Sequence, residues 1–96
     1  MFRHIVLFRV HDAASDTDVE SALESLRALG SRVDAQSWRV EPSLDTRKGR
    51  IIVEDATFRD AAEFEQFRAH PAHRQVAEAM APISDWWVGD YDAPDN

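Results

Sequence analysis

The stretch FRAHPAHRQ, Phe67 to Gln75, sets two of the chain's four histidines, His70 and His73, on either side of Pro71. Imidazole is the side chain whose ordinary pKa lets it give or take a proton near neutrality. Proline disfavours helical geometry in the residue before it and is itself favoured as the first residue of a helix. His70 is therefore expected as the cap of a helix that restarts at Pro71, with His73 near its third position. Free backbone N–H groups and the positive end of the helix dipole surround that position, which disfavours imidazolium. A neutral ring there can accept a proton, as a general base must. The plainer alternative is that both rings are polar punctuation at a helix start.

His4 bears on that choice. In the run FRHIVLFRV it shares a face with Phe2, Val6, Phe8 and Val10, a face expected to be buried. A histidine there is either a hydrogen-bonded core residue or part of a site. His70 and His73 do not have the i, i+4 spacing of a zinc-binding H-E-x-x-H helix, and no third ligand is fixed by spacing, so no metal is expected.

The elements that must position these rings follow from patterning. Phe2–Val10 reads as a strand, apolar on both faces in its middle, so each face needs a cover. A helix follows, with Val19, Ala22, Leu23, Leu26 and Leu29 as its apolar stripe, Thr17 and Glu20 as a capping box, and Gly30 as a left-handed C-terminal cap. VDAQSWRVEP reads as a strand that Pro42 ends or places at a sheet edge, and Arg50–Phe58 as a stronger one. Arg59–Ala69 reads as a helix with Asp60 and Glu63 at its start and Phe64 and Phe67 a turn apart. The helix restarted at Pro71 turns Val76, Ala77 and Met80 inward. ISDWWVGDY closes as a strand, with Trp86 and Trp87 on opposite faces, and DAPDN as a frayed acidic tail.

The order is βαββαβ, with the second helical region in two pieces. That is the ferredoxin-like α+β arrangement, an antiparallel sheet with helices on one face. We expect one domain over residues 1–96, ordered from about 2 to 92. The uncovered sheet face is expected to meet a second copy of the chain in a homodimer. The first strand then lies beneath the helix restart, bringing His4 and His73 to a shared cavity. We place Phe8, Phe64, Phe67, His70 and Trp87 around a ligand in it.

Composition narrows the function. Eighteen acidic against eleven basic residues give a net charge of −7, which opposes the counterion release that drives nucleic-acid binding. The chain has no cysteine, which removes disulfides and thiolate chemistry and fits a cytoplasmic setting. No run is long and apolar enough to span a membrane. No glycine-rich phosphate loop is present.

The histidine near the start of HIVLFRV, the TF pair in ATFRDAAEF, the HPAH motif and the closing DY together resemble the stress-responsive A/B barrel (Dabb) family, over Phe2 to about Tyr91. The resemblance implies a ferredoxin-like dimeric α/β barrel. It further implies, from a plant polyketide cyclase of the family, an intramolecular aldol-type condensation with no metal or organic cofactor. By that resemblance His73 is the acid/base and His4 its partner in the pocket, acting on a small, apolar, oxygenated molecule. That cyclase has a tyrosine where this chain has Phe67, so the hydroxyl is replaced by an apolar wall. Two alternatives stand beside the cyclase or isomerase reading: a stress-response or ligand-binding dimer without chemistry, and a cofactor-independent monooxygenase of the related dimeric barrels.

Overall fold

In the computed structural model, which describes residues 1–94, β1 (Phe2–Val10) occupies the middle of a four-stranded antiparallel sheet. It pairs with β3 (Ile51–Phe58) on one side and β4 (Ser84–Asp92) on the other, while β2 (Ser37–Pro42) pairs with β3 at the far edge. The order β2-β3-β1-β4 is the ferredoxin-like α+β arrangement expected from the sequence. The chain stays tied beyond β4, because Ala93 and Met1 exchange backbone hydrogen bonds of 2.6 and 2.7 Å. The expected tail extends to Asp95 and Asn96, which lie outside the described residues.

The helices α1 (Asp16–Leu29), α2 (Ala61–Ala69) and α3 (Pro71–Met80) bury the face that carries Val6, Phe8, Val10, Val40, Ile52, Ala56 and Phe58. From α1 the buried residues are Ala22, Leu26 and Leu29, with Val19 and Leu23 packed at the margin; from α3 they are Ala72, Val76 and Met80. Leu26, Leu29, Ile52, Phe58 and Met80 are almost completely enclosed, so this single layer between helices and sheet is the core. The opposite face, with Leu7 and Trp87, is open, and both are exposed large apolar residues.

Three local details differ from the sequence expectation. The capping box of α1 is Ser15 with Asp18, each satisfying the other's backbone N–H, two residues ahead of the expected Thr17 and Glu20. An N-cap needs extended geometry, and Ser15 has it, at φ −75° and ψ 162°. Gly30 is right-handed (φ −57°) rather than left-handed. Its lack of a side chain is needed for another reason: a Cβ would stand 2.2 Å from Cδ1 of Trp38, whose ring lies across the helix end and donates to the Leu26 carbonyl. The left-handed glycine is instead Gly49 (φ 96°), in the turn between β2 and β3. Finally, Asp60 caps α2 as expected, accepting from Glu63 N–H, but the Glu63 carboxylate accepts from Arg59 N–H rather than completing a box with Asp60.

Candidate active site

His4 is 5% exposed and lies at the sheet's centre, so strands on both sides reach it. Its cross-strand partner in β4 is Asp90, whose Oδ1 is 2.7 Å from Nδ1. From β3, two residues along from its partner Ala56 and on the same face, Glu54 places Oε2 3.3 Å from Nε2. Glu54 itself is 3% exposed. Phe64 and Phe67 of α2 close over the ring, with centroids 4.8 and 5.9 Å away. Burial works against a charged imidazole here, but hydrogen bonds to Glu54 and Asp90, and then their charges, outweigh it. The pKa of His4 is raised above the ordinary 6.5, and each ring nitrogen has a carboxylate to donate to.

His73 sits in the first turn of α3, placed there by the break at Pro71. His70 has φ −66° and ψ 133°, an extended geometry, and its Nδ1 accepts from Ala72 N–H at 3.0 Å as the N-cap. The His73 Nδ1 is 3.1 Å from the Arg68 carbonyl in the last turn of α2. A carbonyl only accepts, so Nδ1 carries the hydrogen and Nε2 is the basic atom of the neutral ring. The Phe67 ring packs against it at 4.6 Å. The His73 pKa is lowered, first by burial and further by the positive charges of His4 and Arg68; the Glu54 charge and the Arg68 carbonyl act the other way and lose. The shift runs in the expected direction, and burial is its largest cause.

His4 and His73 share one cavity of about 390 Å³, within the range of small-molecule sites. Its polar wall is His4, Glu54, Asp90, His73 and Arg68. Its apolar wall includes Val6, Phe8, Leu26, Phe64, Met80 and Trp86. Phe8 and Phe64 thus fall where the sequence placed them. Three other residues do not. Trp87 points to the open face, paired in register with Leu7, because the register sets Trp86 beside Phe8 on the helix side; their rings are 5.7 Å apart. Phe67 is buried behind His73 among Phe58, Phe64 and Trp38, supporting the ring from outside the cavity wall. His70 is occupied as a helix cap and does not line the cavity.

Glu54, Asp90 and Arg68 are the site residues that sequence reasoning passed over. The signal for Glu54 was its alternation with Ile52, Ala56 and Phe58: an acid on an apolar face needs a buried partner. Its neighbour Asp55 points the other way, to a two-pronged ion pair with Arg3 at 3.0 and 2.7 Å. Among the described residues no buried side-chain nitrogen or oxygen lacks a hydrogen-bond partner, and no group of three or more acidic or imidazole side chains is arranged to hold a metal ion.

A histidine pinned by two carboxylates at the centre of a ferredoxin-like sheet, facing a second histidine at a helix start, marks the class: α+β proteins with a cavity between sheet and helices. Residues 2–93 match the Stress responsive A/B Barrel Domain (Dabb), and the chain belongs to that family. No curated protein matches it by sequence. Solved structures share the fold. A dimeric ferredoxin-like protein of unknown function from Thermobifida fusca is 22% identical with a TM-score of 0.85, covering 96% of this chain and 90% of its own. The hydroxynitrile lyase of Passiflora edulis is 20% identical with a TM-score of 0.84, covering 99% and 94%. SnoaB, a cofactor-independent oxygenase from Streptomyces nogalater, is 21% identical with a TM-score of 0.75, covering 99% and 94%. Among the described residues no helix is long and apolar enough to cross a membrane.

Proposed function

We propose that the protein binds a small, apolar, oxygenated molecule in this cavity and performs acid/base chemistry on it of the cyclase or isomerase kind, as a homodimer closed over the open sheet face. The observation that carries the reading is the opposite treatment of two imidazoles in one cavity: His4 is pushed toward its cation, His73 toward its neutral form. Environments that push two titratable groups apart are how a site assigns acid and base roles near neutral pH.

In this reading Nε2 of His73 takes a proton from a carbon beside a carbonyl. The electrons of that C–H bond move to the carbonyl oxygen as an enolate. The positive charge of His4 favours negative charge developing in the cavity, although both its nitrogens are engaged by carboxylates. The enolate carbon is then reprotonated, which is isomerisation, or attacks a second carbonyl of the same molecule, which is cyclisation. In the second case the new alkoxide takes its proton from the His73 imidazolium. Phe67 offers no hydroxyl, so the proton path runs through His73 alone.

The test is deuterium incorporation from heavy water at the carbon beside the carbonyl, followed by NMR over a panel of aryl ketones and 1,3-dicarbonyl compounds. Enzyme-dependent exchange that His73→Ala abolishes supports the proposal. If His73→Ala and His4→Ala both match the wild type, the histidines are structural. Ligand binding without turnover is a second reading, favoured by the engagement of both His4 nitrogens, and it expects binding with no exchange. Trp86 in the wall suits an aromatic substrate of the oxygenase kind as well; oxygen uptake with a quinol separates that case.

A further inference from the structure

We infer that Arg68 makes this cavity selective for apolar molecules that carry a carboxylate, holding that group at the mouth while the apolar body lies inward. The inference rests on the cavity being a ligand site, as proposed above, and adds the class of ligand. Four charged or chargeable side chains besides His73 line the cavity: His4, Glu54, Asp90 and Arg68. Both carboxylates are turned onto the two nitrogens of His4, at 3.3 and 2.7 Å. Both ring N–H groups of His4 are thereby spent, so the inner end has no free donor for a ligand's carboxylate. At the other end Arg68 lies in the last turn of α2, with a side chain 61% exposed.

The ion pair Arg68 makes is with Glu65, three residues back, at 3.6 Å, and Glu65 is 66% exposed. Such solvent-exposed pairs have little strength and release the guanidinium readily. Arg68 is therefore the one cation of the cavity wall not committed to a carboxylate of that wall. Its charge reaches the site, since it is among the causes that hold His73 neutral. Its own carbonyl fixes the His73 ring, so the anion and the basic nitrogen are held by the same turn of chain. Guanidinium is the side chain that best matches a carboxylate, through two parallel hydrogen bonds. Between the two ends, Phe8, Leu26, Met80 and Trp86 offer an apolar path. The chain's net charge of −7 gives anions no general attraction, so a preference for them must be local.

The experiment compares 4-phenylbutyrate with its neutral partner 4-phenylbutanol, measuring affinity by NMR titration of the Phe64 and Trp86 side-chain resonances. In the wild type the carboxylate is expected to bind about tenfold more tightly, the order of one charge-assisted hydrogen bond at a wet site. The preference should shrink with added salt. Arg68→Gln should bring the ratio to about one without weakening the alcohol, and Arg68→Lys should retain part of it. Equal affinities in the wild type, a preference that survives Arg68→Gln, or no binding of either compound overturns the inference. His73→Ala separates the two proposals. If it loses no deuterium exchange while the carboxylate preference holds, the acid/base reading fails and the role of Arg68 stands; exchange that depends on His73 without any preference is the reverse.

Discussion

Nδ1 of His73 and the carbonyl oxygen of Arg68 are 3.1 Å apart across the break between α2 and α3. That one contact settles which nitrogen of the ring is basic. It also explains why the break matters: a continuous helix would spend the Arg68 carbonyl on its own backbone ladder. Pro71 has no N–H to donate, and the extended geometry of His70 turns the chain, so the carbonyl is left to the imidazole.

The two histidines should give a bell-shaped dependence of rate on pH. The proposed reaction requires His73 neutral and His4 cationic. It should rise through the lowered pKa of His73, fall through the raised pKa of His4, and peak around the ordinary histidine value of 6.5. The profile of kcat/KM measures this. Glu54→Gln removes a hydrogen bond and a charge that favour the His4 cation, so its alkaline limb should move to lower pH.

Stability should peak in the same region. A raised folded pKa means that the contribution of His4 is complete below pH 6.5 and is lost as pH rises through the raised value. His73 has a lowered folded pKa, so it costs nothing well above pH 6.5, and its destabilisation accrues as pH falls from 6.5 to the lowered value and is complete below it. Urea denaturation across pH 5 to 9 checks both limbs. His4→Ala should flatten the alkaline limb and destabilise at pH 6 by about 3 kcal/mol, because it strands the buried Glu54 carboxylate.

Much of this site was legible before the fold was known. His4 alternates with Phe2, Val6 and Phe8, which assigns its face, and Pro71 alone predicts the break and the positions of His70 and His73. What could not be read was register. Trp86 and Trp87 alternate, but only the pairing of β4 with β1, more than seventy residues away in sequence, decides which of them stands beside Phe8. The same pairing brings Asp90 to His4. Glu54 was hidden differently: beside Asp55 it looks like surface charge, and only the burial of one face of β3 separates the two acids.

Gly30 supplies a prediction with no bearing on chemistry. Gly30→Ala forces a methyl group into the Trp38 ring, which stands 2.2 Å from the Cβ position. We expect a loss of about 1–3 kcal/mol, the usual cost of overpacking, with a change in tryptophan fluorescence as the bond to the Leu26 carbonyl breaks. Gly49→Ala is also expected to destabilise, but through the positive φ at that turn. Thermal melts of the two variants check this.

The open sheet face should hold the second copy. Leu7 and Trp87 are 41% and 61% exposed and adjacent in register, a large apolar surface for a single chain. Sedimentation equilibrium at micromolar concentration should give a dimer. Leu7→Asp should shift it toward monomer while leaving the helix-side residues untouched. A wild-type monomer under those conditions contradicts the expectation.

The most direct test of the central claim is nitrogen-15 NMR of the histidine side chains as pH is varied, because it reads charge and tautomer together. At pH 6.5 His73 should be mostly neutral, with its hydrogen on Nδ1 and its lone pair on Nε2, and titrate below 6.5, while His4 should be mostly protonated on both nitrogens and titrate above 6.5. A mostly cationic His73 at pH 6.5, or a neutral ring with its hydrogen on Nε2, contradicts the assignment of His73 as the base.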